Sequence, residues 1–174
     1  MRGILRTTVL VMLLAVAGTV TSTGAATAAG RTVAAAPAPA HTKKSLDEIR
    51  AMDPGVYAHK VLRIINEKRA ARDLRAVKLN TCTDKLAESW GSYLAGNLEF
   101  YHQDLSPFFE KCDAQYAGET LARGAVSPQE MVKLWMGSEG HRHILLSKYP
   151  NRIGLGAYLD SRGDWLVAAD FTQI

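Results

Sequence analysis

Arg2 and Arg6 precede an apolar run, Val9-Leu10-Val11-Met12-Leu13-Leu14-Ala15-Val16, and Ala26-Thr27-Ala28 follows with small residues at alternate positions. A positive start, a short apolar stretch and a small-x-small site form the pattern of a cleaved export signal. The uncharged stretch from Thr7 to Gly30 is long enough to span a bilayer, but its strongly apolar part is short. After Val16 it dissolves into Gly, Ser, Thr and Ala. The expectation is a signal peptide over residues 1–28, cleaved near Ala28, and a secreted, extracellular protein. No second long apolar run follows, so no stable membrane span is expected after cleavage.

Residues 29–44 read as a tether. Ala34-Ala35-Ala36-Pro37-Ala38-Pro39-Ala40 is low in complexity, and its prolines favour extended, unpaired backbone. The folded unit is therefore expected over residues 45–174, enough chain for one core and too little for two comfortable domains.

This division changes the meaning of the charge. The chain carries 21 basic and 17 acidic residues, a net of +4. Arg2, Arg6, Arg31, Lys43 and Lys44 lie before Leu46, whereas every acid lies after it, so the folded part holds 16 basic residues against 17 acidic ones, a net of −1. Nucleic-acid binding wants a basic face on the folded unit, and that support is missing here. No nucleic-acid partner is expected.

Cys82 and Cys112 are the two cysteines of the chain, both in the exported part. An even count in an oxidising compartment favours a disulfide over a metal pair or a catalytic thiol. Closing such a loop would stabilise the fold by roughly 3 kcal/mol in the chain-entropy model. The bridge would tack the segment bearing His102 onto a helix beginning near Thr83. Trp90, Trp135 and Trp165 are expected in the core.

Local signals place the elements. Ser45-Leu46-Asp47-Glu48 has the form of a capping box and starts a short helix, which Asp53-Pro54-Gly55 is expected to break. Tyr57, Val61, Ile64 and Ile65 form one apolar stripe over a helix from about Val56 to Arg72. Leu86, Trp90, Tyr93 and Leu94 do the same from about Thr83 to Gly96. Residues 97–118 read as loop-rich. Ser127-Pro128-Gln129-Glu130 combines a serine cap, a proline at the first helical position and a glutamate at the third. Gly137-Ser138 interrupts that helix, and another carries His141 to Ser147. At the end, Ile153, Leu155, Ala157 and Leu159 alternate along one strand, and Trp165, Val167, Ala169 and Phe171 along a second. Asp160-Ser161-Arg162-Gly163 supplies the turn of a hairpin. Helices followed by a hairpin make the fold class α+β.

Among the five histidines, His41 falls in the tether and His59 on the outer part of a helix. His102, His141 and His143 are accompanied by Glu119 and Glu139, and imidazole with carboxylate suits zinc or general acid–base chemistry. No His-Glu-x-x-His run is present. His141 and His143, two residues apart on a helix, point to roughly opposite sides.

Several blocks carry a family resemblance. Asn66-Glu67-Lys68-Arg69, Gly118-Glu119-Thr120-Leu121-Ala122, Trp135-Met136-Gly137-Ser138-Glu139-Gly140-His141-Arg142 and Ile153-Gly154-Leu155-Gly156 occur in that order. They resemble, in turn, the Asn-Glu-x-Arg, Gly-Glu-Asn-(Ile/Leu)-Ala, Trp-x-x-Ser-x-Gly-His-Arg and Ile-Gly-Val-Gly of the CAP superfamily, the cysteine-rich secretory, antigen 5 and pathogenesis-related proteins. The closest likeness is to the short bacterial branch, and it covers about Val56 to Gln173.

The resemblance implies a three-layer α-β-α sandwich around a small, mainly antiparallel sheet. It also implies a cleft lined by His102, His141 and Glu119, suited to a divalent metal, most plausibly zinc. Where longer members place a second acid, three residues after the tryptophan, this chain has Ser138. Glu139 stands next to it, either joining the cleft or projecting into solvent. Thr120 replaces the family's usual Asn. Ser138 reads as a helix cap rather than a nucleophile. Arg142 and His143 read as helix-surface or packing residues. The leading functional reading is a non-enzymatic extracellular binding module for a divalent ion, with a small ligand, lipid, sterol or cell-surface component as partner. The alternatives are a metal-assisted, protease-like hydrolase and a sterol- or lipid-binding protein.

Overall fold

The computed structural model describes residues 45–174; the expected signal peptide over 1–28 and tether over 29–44 lie outside the described residues. Ser45 caps helix α1 (Leu46–Arg50) through the expected capping box with Glu48. α1 ends before Asp53-Pro54-Gly55, as expected, and the same residues start α2 (Pro54–Ala70), two residues ahead of the expected Val56. Asp53 Oδ1 accepts the Val56 amide at 3.0 Å, and Pro54 occupies the first turn, where its missing N–H costs nothing.

A two-residue strand β1 (Lys78–Leu79) leads to α3 (Thr81–Asn97), capped by Asn80, whose Oδ1 accepts the amides of Cys82 and Thr83. The segment expected to be loop-rich contains α4 (Ser106–Cys112) and opens β2 (Tyr116–Gly124). Helices α5 (Pro128–Gly137) and α6 (Glu139–Leu145) follow, the first with its capping box from Ser127 to Glu130. The hairpin closes the chain as β3 (Arg152–Leu159) and β4 (Trp165–Gln173).

The sheet runs β1-β3-β4-β2. β3 and β4 pair antiparallel, with Leu155 opposite Ala169, and β4 pairs antiparallel with β2, with Asp170 opposite Glu119. Only the short β1–β3 contact is parallel. β4 is buried from Trp165 to Thr172, on both faces of its pleat. One face packs Ile153, Leu155, Val167 and Phe171 against Tyr57, Val61, Ile65, Met131 and Trp135 of α2 and α5. The other packs Leu121, Leu166 and Ala168 against Leu94 and Ala95 of α3, with Trp90 only partly buried beside them. Helices on both faces of one antiparallel-dominated sheet make a three-layer α-β-α sandwich, an α+β fold.

Two residues of the Asn66-Glu67-Lys68-Arg69 block act as struts. The Asn66 side chain exchanges two hydrogen bonds with the Val77 main chain, at 2.9 and 3.0 Å. Arg69 is buried and donates to the carbonyl oxygens of Arg75, Leu145, Ser147 and Pro150. The block thus holds α2 to the chain before β1 and to the connection between α6 and β3.

Candidate functional site

β2 lies at the edge of the sheet, and the chain before and after it brings histidines to it. The disulfide Cys82–Cys112, with Cα atoms 5.6 Å apart, ties the start of α3 to the end of α4. It closes the segment that carries His102 and Gln103 over β2. From the other side, α6 brings His141. The His102 and His141 rings have centroids 6.3 Å apart, tilted by 56°.

Below them lie two carboxyl groups. Glu119 is 4% exposed and Asp170, its register partner on β4, is 1% exposed. His102 Nδ1 is hydrogen-bonded to Glu119 Oε2. Gln103 Nε2 donates to Glu119 Oε1 at 3.2 Å and to Asp170 Oδ2 at 2.9 Å. Burial, helped by the negative charge of Glu119, holds the Asp170 carboxyl well above the usual carboxylate range, and the Gln103 bond opposes this only in part. His102 itself is open to solvent, its side chain 59% exposed. A groove of about 350 Å³ runs past it, lined by Leu105, Tyr116, Gly118, Glu119 and Ile144.

His141 is half-buried, and its pKa lies below 6.5, first because burial disfavours the imidazolium and second because His102 stands near. It therefore presents a neutral imidazole near neutral pH, the form that binds metals. The structure does not bring Glu139 to this cluster. Glu139 is exposed and lines a separate groove with Leu74, Arg142 and His143. Arg142 Nη1 donates to the Met136 carbonyl oxygen, a packing contact. Ser138 occupies the cap position of α6 without a side-chain cap bond.

Among the described residues, no group of three or more His, Cys, Asp or Glu side chains is arranged to hold a metal ion. What the fold does assemble is two imidazoles at one rim, with a buried carboxylate spent on one of them. Gln103 and Asp170 escaped the sequence reading. Asp170 carries a sequence signal: it is the one acid of β4, on the face that Leu166 and Ala168 share.

The model of the cysteine-rich secretory protein (CAP) family matches residues 62–170. This chain belongs to the CAP family. The CAP chain is also 33% identical over 116 residues to the uncharacterized protein YkwD of Bacillus subtilis (strain 168), covering 63% of its own length and 45% of that relative. It thus spans less than half of the curated relative it matches. Among solved structures, an outer surface protein of Borrelia burgdorferi superimposes with a TM-score of 0.63 at 17% identity, over 70% of this chain and 96% of that one. An extracellular protein of Bacillus anthracis that contains an SCP domain gives 0.62 at 20% identity, over 75% and 44%. At these identities the likeness establishes the sandwich fold. Among the described residues, no helix of the CAP chain is long and apolar enough to cross a membrane.

Proposed function

We propose that this CAP-family chain is an exported, non-enzymatic binding module whose cleft holds a divalent cation, zinc, between His102 and His141. The observation that carries the reading is the engagement of His102 Nδ1 by the buried Glu119 carboxylate, with the His141 ring 6.3 Å away. A carboxylate on one imidazole nitrogen is the arrangement that orients a metal-ligating histidine and raises its basicity. Glu119 then acts behind His102 rather than beside it. A zinc ion held there would offer a Lewis-acidic position to an oxygen of a small or cell-surface ligand. Export rests on the leader motif of residues 1–28, and intact mass of secreted material, beginning near Ala29, checks it.

Calorimetric titration of zinc into the secreted protein tests the cleft. Binding should weaken on acidification, as protons compete for imidazole, and His141 joins that competition only below 6.5 because burial lowers its pKa. His102→Ala and His141→Ala should each lose most of the affinity, whereas His143→Ala, on the separate groove, should bind as wild type does. Absence of zinc binding, or an equal loss in His143→Ala, overturns the assignment. Chelator-sensitive turnover of peptides or esters would instead favour the hydrolase, and retention of labelled sterol the lipid carrier.

A further inference from the structure

Gln103 has the most constrained partners in the cleft. Its amide nitrogen carries two hydrogens, and two buried carboxyl groups accept from it, Glu119 Oε1 at 3.2 Å and Asp170 Oδ2 at 2.9 Å. The charged Glu119 carboxylate only accepts, so the nitrogen of the amide and not its oxygen must face it, and the same nitrogen reaches Asp170 Oδ2. The other Glu119 oxygen meets His102 Nδ1. An ionised carboxylate only accepts, so Nδ1 carries the proton and Nε2 keeps the lone pair of the neutral ring. A continuous chain of contacts therefore runs from Asp170 through Gln103 and Glu119 to His102.

Each link removes a freedom. The terminal torsion of a glutamate is broad, so one bond to His102 would leave the carboxylate free to turn. The Gln103 bond to the second oxygen closes that rotation. Gln103 sits on the connection between α3 and α4, and its bond to Asp170 anchors it to the central strand β4. Asp170 gains little else from its position: Oδ1 is buried and has no hydrogen-bond partner. A buried carboxyl with one oxygen unsatisfied costs stability, and such groups call for a role at a site.

We propose that Gln103 and Asp170 are positioning residues of the cleft, which fix the Glu119 carboxylate so that His102 is held as the Nδ1–H tautomer with Nε2 presented to the groove. The purpose of this arrangement rests on the binding reading above, whereas the tautomer follows from the contact of Nδ1 with a charged Glu119 carboxylate.

Long-range proton–nitrogen correlation of the histidine side chains in the metal-free secreted protein, at a pH where the rings are neutral, reads the tautomer directly. His102, assigned by its loss in His102→Ala, should be chiefly Nδ1–H in wild type. Gln103→Leu should move it toward Nε2–H and weaken zinc binding about 10–100-fold, the usual effect of losing an outer-shell partner. Asp170→Ala should shift the tautomer in the same direction, and Asp170→Asn, which keeps an acceptor oxygen for Gln103, should restore it. A wild-type His102 found as Nε2–H overturns the proposal without any variant having to fold. An unchanged tautomer in folded Gln103→Leu overturns it as well. If the tautomer responds as expected while wild type binds no zinc, the positioning role stands and the metal reading falls.

Discussion

Gly156 of β3 lies directly under Ala87 of α3: a Cβ built on Gly156 would stand 2.1 Å from the Ala87 carbonyl oxygen. The helix rests on the strand backbone to backbone, which the alternating glycines of Ile153-Gly154-Leu155-Gly156 permit. Neither backbone can yield as a side-chain tip would. Gly156→Ala should therefore destabilise the protein by about 1–3 kcal/mol or more, the usual cost of overpacking. Gly96, near the end of the same helix, has open space where its Cβ would go, so Gly96→Ala should leave stability unchanged or raise it by up to about 1 kcal/mol. Urea unfolding of the two variants checks the contrast, and a Gly156→Ala protein as stable as wild type would refute the close contact.

Arg69 should not tolerate lysine. Its guanidinium spreads over the carbonyl oxygens of Arg75, Leu145, Ser147 and Pro150, at 2.7 to 3.4 Å. A lysine ammonium has three donors from one point and cannot reach this fan of acceptors. Arg69→Lys should cost roughly 2–4 kcal/mol, from lost charge-assisted bonds and buried carbonyls left without partners. The unfolding midpoint measures it. A loss below half a kcal/mol would mean that water satisfies those carbonyls instead.

The helices were legible because their signals are local. Ser45 and Ser127 each make the capping box their sequences advertise. Asp53-Pro54-Gly55 separates the two helices and also begins the second, two residues ahead of the expected Val56, because the Asp53 side chain caps it. α4 was hidden because Leu105 offers no side-chain cap; the usable cue was Asp104, which accepts from the Ser106 amide, just before Pro107. β2 was hidden by its polar residues. Glu119 and Arg123 share its face with Leu121, Glu119 engaged by His102 and Gln103, Arg123 by the carbonyl oxygens of Leu94 and Glu99. Polar residues with distant partners erase the alternation that would have revealed the strand. The same dependence on partners far along the chain kept Gln103 and Asp170 out of view, while His102, His141 and Glu119 were reachable through the family motifs.

The Cys82–Cys112 bridge spans 30 residues and encloses both α3 and the segment bearing His102. In the chain-entropy model a loop of this length contributes about 3–4 kcal/mol, by restricting the unfolded chain. Cys82→Ala/Cys112→Ala should lower the unfolding midpoint accordingly. Hydrogen exchange should quicken most in residues 98–112, which the bridge holds to α3. Uniform quickening across the sandwich would show instead that the bridge acts on global stability alone.

Asp160 gives the fold an acid-sensitive turn. Its carboxylate is buried at the β3–β4 connection, where Oδ1 accepts the amides of Arg162 and Asp164 at 2.9 and 3.0 Å. Oδ2 meets the Arg162 guanidinium at 3.3 Å and Arg123 Nε at 3.4 Å. Burial alone would raise its pKa, but the two amides and the Arg162 guanidinium outweigh that, and the folded value lies below the ordinary 3.8. The unfolded chain therefore binds the proton more readily than the folded one. Stability from this group is fully present above about 3.8 and is lost as pH falls through the lower folded value. Asp160→Asn keeps one acceptor oxygen but not the charge, so it should cost roughly 1.5–3 kcal/mol at neutral pH, in line with bonds to charged groups. The gap between variant and wild type should then close on acidification, as wild type loses the same charge. Urea unfolding of both proteins at a series of pH values follows that gap, and a gap that stays constant below pH 3.8 would show that the turn depends on shape and not on charge.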